Sequence, residues 1–273
     1  MLKPSSSLSL ASRRRFLATT LLAGFGLNST TRASAQENFA YPGGVAEIVV
    51  PKTSKQPPLI TFGTKEVVVL EQLQSWRALV GISLDTLPGN YIVLVKANKN
   101  MPARAITFSV RQHHYAITQE TVITPRKLAM LTSLDFDNTA PPKLPLKTPI
   151  EGIWQDNFGQ IAAAGPNLIQ QNHVSFSPPA GTQQVVLAPQ QGIVSHIVQP
   201  DGFGASLCLD HGRGLFSVLH GIQELTVEVG NGVMAGAVLG KIDASKNTSS
   251  PAYLAWQCVL NEVNINPLIM TKL

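Results

Sequence analysis

The chain has 273 residues, of which 44% are hydrophobic, and 21 basic against 16 acidic side chains give it a formal net charge of +5. Five of the basic residues lie within residues 1–35, which contain no acidic residue, so the rest of the chain carries 16 basic and 16 acidic groups. The excess positive charge therefore belongs to residues 1–35 and gives no argument for nucleic-acid binding, which needs clustered basic residues on the folded domain. We predict that the protein does not bind nucleic acid.

The first 35 residues contain the three parts of an export signal in the expected order. Ser12-Arg13-Arg14-Arg15-Phe16-Leu17 matches a twin-arginine pattern, an apolar run follows, and Ala33-Ser34-Ala35 matches a small-residue cleavage site. The apolar run, residues 16–27, has 12 residues, fewer than the roughly 20 needed to cross a bilayer. We expect no stable membrane insertion and a periplasmic mature protein that begins at residue 36.

Residues 36–140 predict a β domain. Short runs rich in β-branched and apolar residues recur between turn signals such as Pro88-Gly89-Asn90. These runs are residues 46–50, 59–62, 66–70, 76–82, 91–96, 105–110 and 115–118. Their spacing is typical of an antiparallel sandwich of immunoglobulin-like size. His113 and His114 are adjacent in the chain, so in a strand they would face opposite sides and could not readily chelate one ion.

A proline-rich segment separates this domain from a second one. Residues 141–149 contain four prolines and predict a stiff linker, because proline neither donates to a sheet nor continues a helix. Residues 150–273 again show β runs and no sustained apolar period of 3.6, so the mature protein is predicted to be all-β with almost no helix. Cys208 and Cys258 lie in two of these runs, and the sequence leaves open whether they form a disulfide or remain buried thiols.

An ordered set of motifs gives the second domain a specific resemblance. The set comprises Pro179-Ala180-Gly181-Thr182, Ala188-Pro189-Gln190-Gln191-Gly192, Asp210-His211-Gly212-Arg213-Gly214, Val218-Leu219-His220, residues 227–236 and Asn266-Pro267. It is similar to the lysostaphin/LytM-type zinc endopeptidases, which cut peptidoglycan cross-links. Tyr41-Pro42-Gly43-Gly44 and Pro88-Gly89-Asn90-Tyr91 also resemble the β domain that precedes some bacterial members. The resemblance implies a LytM-type β-sheet core in residues 150–273.

The resemblance also implies a metal site that this sequence lacks. The family holds zinc with a histidine and an aspartate spaced H-x-x-x-D and with the second histidine of H-x-H, and a water completes the site. Alignment on the flanking motifs puts Gln171 and Ser175 at the first pair, and Tyr253 and Ala255 at the second. His220 matches the family's Y-x-H histidine, and His173 lies two residues from a ligand position. We therefore predict that zinc, the family cofactor, is lost.

A binding role is the function that this loss favours. His220, Tyr253, Trp256, Gln257 and His173 are predicted to line the former active-site groove, where aromatic and amide groups suit a muropeptide or a protein segment. Metal-free members of the family can regulate peptidoglycan amidases, so the resemblance implies peptidoglycan or an envelope amidase as partner. The alternative is an active endopeptidase with displaced ligands, for example with zinc held by His173, His196 and His220.

Overall fold

The computed structural model describes residues 39–96, 102–118, 140–164, 167–199, 204–244 and 253–273. The predicted export signal lies outside these residues. The described residues all belong to one compact unit, Asn38–Leu273. Its described part is almost entirely β, with a single short helix, α1, at Pro267–Met270, which confirms the all-β prediction. No helix among the described residues is long and apolar enough to cross a bilayer.

The amino-terminal strands form a sandwich of two antiparallel sheets. One sheet has the order β1-β5-β4 and the other the order β3-β2-β6-β7. The bounds are β1 Val45–Pro51, β2 Leu59–Phe62, β3 Lys65–Glu66, β4 Val68–Glu71, β5 Ser75–Gly81, β6 Gly89–Lys96 and β7 Arg104–Val110. Alternate apolar residues of both sheets, among them Ile48, Ile60, Val69, Ala78 and Val93, fill the core between them. The predicted sandwich is therefore present.

The sequence predicted one strand over residues 66–70, whereas the structure has two. Val67 donates its N–H to Ile60 O at 3.0 Å and still belongs to the β2 side, while Val68 begins the ladder with β5. The chain thus passes from one sheet to the other at Val67. A continuous apolar run carries no signal for such a transfer, because its side chains are buried in either sheet.

The carboxyl-terminal strands form two further sheets. The larger has the order β11-β19-β15-β14-β13-β17, with β20 also paired to β19, and the smaller has the order β12-β18-β16. The bounds are β11 Val174–Phe176, β12 Gln183–Leu187, β13 Gly192–Val198, β14 Ala205–Gly212, β15 Leu215–Ile222, β16 Glu224–Leu225, β17 Gly232–Val233, β18 Val238–Asp243, β19 Leu254–Leu260 and β20 Val263–Ile265. Every residue of β14, β15 and β19 is buried, as expected for central strands that are covered on both faces.

A small fifth sheet connects the two regions. It consists of β8 (Ile117–Thr118), β9 (Ile161–Ala164) and β10 (Asn167–Gln170), in the order β10-β9-β8. The two regions also share a core, to which the sandwich contributes Val45, Val68 and Leu79.

The proline-rich segment lies against the second region. Leu146 is buried, and its N–H donates to Met270 O at 2.9 Å. Lys147 N–H donates to Pro189 O at 2.8 Å, and Pro149 O accepts from Leu187 N–H at 2.8 Å. The segment is therefore hydrogen bonded to the domain that follows it, which its proline content alone did not indicate.

Candidate functional site

Strand pairing brings together residues that the sequence analysis took from separate motifs. Ser175 of β11 is the register partner of Ala255 in β19, and Ala255 is the partner of His220 in β15. His220 is in turn the partner of Ser206 in β14. Register partners project their side chains from the same face of a sheet. Ser206, His220, Ala255 and Ser175 therefore form one row across the sheet, which we call the central row.

His220 is hydrogen bonded at both ring nitrogens. Its Nε2 lies 3.1 Å from Gln257 Oε1, and its Nδ1 lies 2.9 Å from Ser206 Oγ. The amide oxygen of Gln257 can only accept, so Nε2 carries the proton and Nδ1 accepts from the serine hydroxyl. Gln257 Nε2 then donates to Asn172 Oδ1 at 2.7 Å. Internal partners thus occupy both ring nitrogens of the imidazole.

Burial keeps the histidines of this region neutral. Removal from water lowers the pKa of His220 to about 4, the Gln257 hydrogen bond opposes this, and the nearby His173 lowers the pKa further. Burial also lowers the pKa of His173 to about 4. His211 lies in β14 at the end opposite Ser206, and burial lowers its pKa to about 4 as well. The two ring nitrogens of His211 lie 2.9 Å from Gln191 O and 2.9 Å from Ser217 Oγ. Near neutral pH none of the three carries a charge.

Ser175 is enclosed by neutral groups of the segment that precedes β9. Gln155 and Ser175 form an antiparallel bridge, with N···O distances of 2.8 and 3.1 Å. The Ser175 hydroxyl accepts from Asn157 Nδ2 at 3.1 Å and donates to Gln155 Oε1 at 3.4 Å. The position that the resemblance assigns to an aspartate is therefore a hydroxyl held by two amides. Sequence reasoning missed Gln155 and Asn157, which belong to no recognisable motif.

Gln171 and His173 are both buried, each with 3% of its surface exposed. Gln171 Oε1 and His173 Nδ1 have no hydrogen-bond partner among the described residues. Asn172, between them, is the residue that accepts from Gln257, so this short segment adjoins the central row.

Trp256 lies in the hydrophobic core, so the prediction that it lines the groove is wrong. It is fully buried, and its register partners Val174 and Leu219 lie in the hydrophobic core. Its ring packs edge to face on Trp154, with 5.9 Å between the centroids. Successive residues of β19 face opposite sides, so Trp256 cannot share a face with Ala255 and Gln257.

The predicted groove is closed to solvent at most of the residues assigned to it. His173, His220 and Gln257 are each at most 5% exposed, and only Tyr253 is half-buried. Burial raises the pKa of Tyr253. Gly221 follows His220 with φ +99°, and a Cβ there would lie 2.2 Å from the carbonyl oxygen of Tyr253. Only glycine allows this close approach of β15 to the residue that precedes β19.

The two cysteines lie on opposite faces of the larger sheet. Cys208 is in register with Val218 and, through it, with Gln257, so the three share a face. Cys258 follows Gln257 and therefore points to the other side. Both cysteines are free and buried, which answers the question that the sequence left open: their side chains cannot form a disulfide.

Among the described residues, the side chains at the ligand positions that the resemblance assigns do not fit a zinc site. Such a site needs three protein ligands with free lone pairs, and His220 already uses both nitrogens. Within the described ranges, no group of three or more His, Cys, Asp or Glu side chains could hold a metal ion, including the trio of His173, His196 and His220.

Two family profiles match the chain in adjacent regions. Peptidase family M23 matches residues 170–267, which contain the central row. The M23 N-terminal domain matches residues 38–113, which contain the sandwich.

Known proteins show similarity to the same regions. The crystal structure of a candidate peptidase M23 from Pseudomonas aeruginosa is 27% identical, with a TM-score of 0.64, over 86% of this chain and 96% of that one. A chain of the SpoIIQ–SpoIIIAH pore-forming complex aligns with a TM-score of 0.40 and 18% identity, over 46% of this chain and 89% of the chain in that complex. An uncharacterized protein of Neisseria meningitidis serogroup B is 30% identical over 109 residues, which are 40% of this chain but only 17% of that protein's length. With both of its β regions matched in order, the chain belongs to peptidase family M23.

Proposed function

We propose that this protein is a non-catalytic member of its family that acts in the cell envelope by binding peptidoglycan, with a wall amidase as the alternative partner. The observation that carries the proposal is His220, whose two ring nitrogens are held by Ser206 and Gln257. An imidazole in this state neither ligates a metal nor accepts a proton from water until its internal bonds are broken.

The surroundings of His220 support the same proposal. Ala255 offers a methyl group and Ser175 a hydroxyl already bonded to amides, so the central row supplies no anionic ligand. Structural zinc binding in proteins amounts to roughly 10–16 kcal/mol shared among about four ligands, so the loss of several ligands removes the site. The family fold would then remain as a scaffold for recognition.

The purified mature protein is expected to contain no stoichiometric zinc and to leave a peptidoglycan suspension turbid, while it sediments with the insoluble sacculi. The reason is that Gln171, Ser175 and Ala255 replace the ligands that the resemblance assigns to those positions. Elemental analysis, turbidity and co-sedimentation measure the three properties. About one zinc per chain with chelator-sensitive clearing would instead establish the active endopeptidase with displaced ligands.

Export is the second part of the proposal. Changing Arg13 and Arg14 together to lysine is expected to abolish delivery to the periplasm, because the twin-arginine pair is what the export machinery reads. Cell fractionation followed by immunoblotting measures the delivery. A matched change of Arg32 to lysine, outside the pair, should leave export unchanged. Normal periplasmic delivery of the double variant would show that another route is used.

A further inference from the structure

A cavity of about 720 Å³ lies far from the central row, where the sandwich meets two turns of the second region. From the sandwich it is lined by residues of β2, β3 and β4, and from the second region by the turns at Arg213-Gly214 and Asn261-Glu262. Asn261 follows β19 and is six residues beyond Ala255, which places it roughly 20 Å along the strand. The volume of the cavity is in the range of ligand sites, which occur preferentially between domains.

The cavity lies at an open side of the sandwich. β3 and β4 are both outer strands, one in each sheet, and the chain crosses between the sheets at Val67. Ile60, Val67 and Val69 are among the residues that line the cavity, and all three are apolar and buried. No described strand pairs with the outer side of β4.

The strand register directs the main-chain N–H and C=O groups of alternate β4 residues outward. Gln72 N–H donates to Ser75 O at 2.9 Å, so bonded pairs recur at alternate positions, Leu70 with Arg77 and Val68 with Leu79. The other side of β5 agrees, because Ile82 N–H donates to Gly44 O and Lys52 N–H to Gln74 O, so the even-numbered residues of β5 bond to the β1 side. The N–H and C=O of Val69 and of Glu71 therefore point away from β5. Of these two residues only Val69 lines the cavity.

The opposite wall is held in place by Asn261. Its Oδ1 accepts from Gly81 N–H at 3.2 Å, and its Nδ2 donates to Glu66 O at 3.3 Å. Asn261 and Glu262 have φ values of 52° and 64°, in the left-handed region that few non-glycine residues adopt. The rim carries both signs of charge, with Lys65 and Glu262 paired at 2.6 Å. A polyanion would meet Glu66 and Glu262 there, so a mixed or neutral chain is favoured.

We propose that this cavity binds an extended peptide segment of a partner protein, which adds a strand to β4 through the main chain of Val69 and places an apolar side chain against Ile60 and Val67. Strand addition of this kind takes its affinity from main-chain hydrogen bonds and its selectivity from side-chain pockets. The cavity supplies a free main-chain edge and an apolar pocket. Neither involves the central row, so this proposal does not depend on the loss of the metal site.

The test uses a library of random linear peptides, about a dozen residues long, selected on the purified protein. Selected peptides are expected to alternate apolar and polar residues. Val69→Pro, which removes an outward N–H without breaking a ladder bond, is expected to weaken their binding by about tenfold. Glu71→Pro removes the equivalent N–H outside the cavity and should change binding by less than about twofold. Val69→Ala controls for the side chain and should resemble Glu71→Pro.

Amide hydrogen exchange on the unmodified protein keeps the test independent of how well the proline variants fold. The bound peptide is expected to slow exchange at Val69 and to leave the amides around His220 unchanged. Failure to select any binder, equal affinity for the Val69→Pro and Glu71→Pro variants, or protection elsewhere would overturn the proposal. Protection of Val69 by dimerisation without peptide would assign the strand edge to a second copy and would also overturn it.

Discussion

Lowering the pH from about 7 to about 4.5 is expected to reduce the free energy of unfolding by several kcal/mol, because His173, His211 and His220 are neutral in the folded protein. Burial lowers their pKa values from 6.5 to about 4. Between these values the unfolded chain binds protons that the folded chain does not, so this contribution is fully present above pH 6.5 and is lost as the pH falls towards 4. Each histidine accounts for at most about 3 kcal/mol.

Urea denaturation at a series of pH values measures this dependence. His220→Gln retains an amide beside Gln257 but cannot titrate, so its free energy of unfolding should depend less steeply on pH than that of the parent. The explanation fails if the parent and the His220→Gln variant lose the same free energy over this pH range.

Truncation of Trp256 is expected to destabilise the protein by about 3–5 kcal/mol, because it leaves a cavity beside Trp154 in the core. For a chain of this size the melting temperature should fall by roughly 10 °C. Thermal denaturation followed by circular dichroism measures the change.

Tyr253→Ala is the matched control for this prediction, since Tyr253 is only half-buried and lies just before the same strand. Its melting temperature should fall by much less. The outcome that would contradict the structural placement is a Trp256→Ala protein that melts like the parent but no longer binds sacculi. That result would show that Trp256 lines the groove, as the sequence predicts.

The neighbourhood of His220 shows how burial changes the design of such experiments. The sequence predicts that His220 lines the former active-site groove. The structure buries it with both nitrogens bonded, and removal of a group from such a network leaves Ser206 and Gln257 without their partner. A change at His220 therefore tests stability first, and binding is better tested at residues that solvent or a ligand can reach.

The sequence by itself determined the all-β architecture, because turn residues at short intervals interrupt its β runs and no helical period is sustained. Through the resemblance that the flanking motifs carry, it also related Ser175, Ala255 and His220 to one site, and β11, β19 and β15 bring these three residues into one row. The turn residues, the periodicity and the motif spacing are all local properties of the sequence. They can therefore be identified without knowing which strands pair in the folded protein.

Only the tertiary structure decided which groups surround that row and which face each residue occupies. Trp256, Cys208 and Cys258 lie in strands whose residues are all buried, and strands that are covered on both faces lack the alternation between exposed and buried positions that would assign a face. Gln155 reaches Ser175 across 20 residues of sequence, and Ser206 reaches His220 across 14. The transfer at Val67 opens a strand edge within an apolar run. These features depend on strand register, which is fixed by packing between segments far apart in sequence.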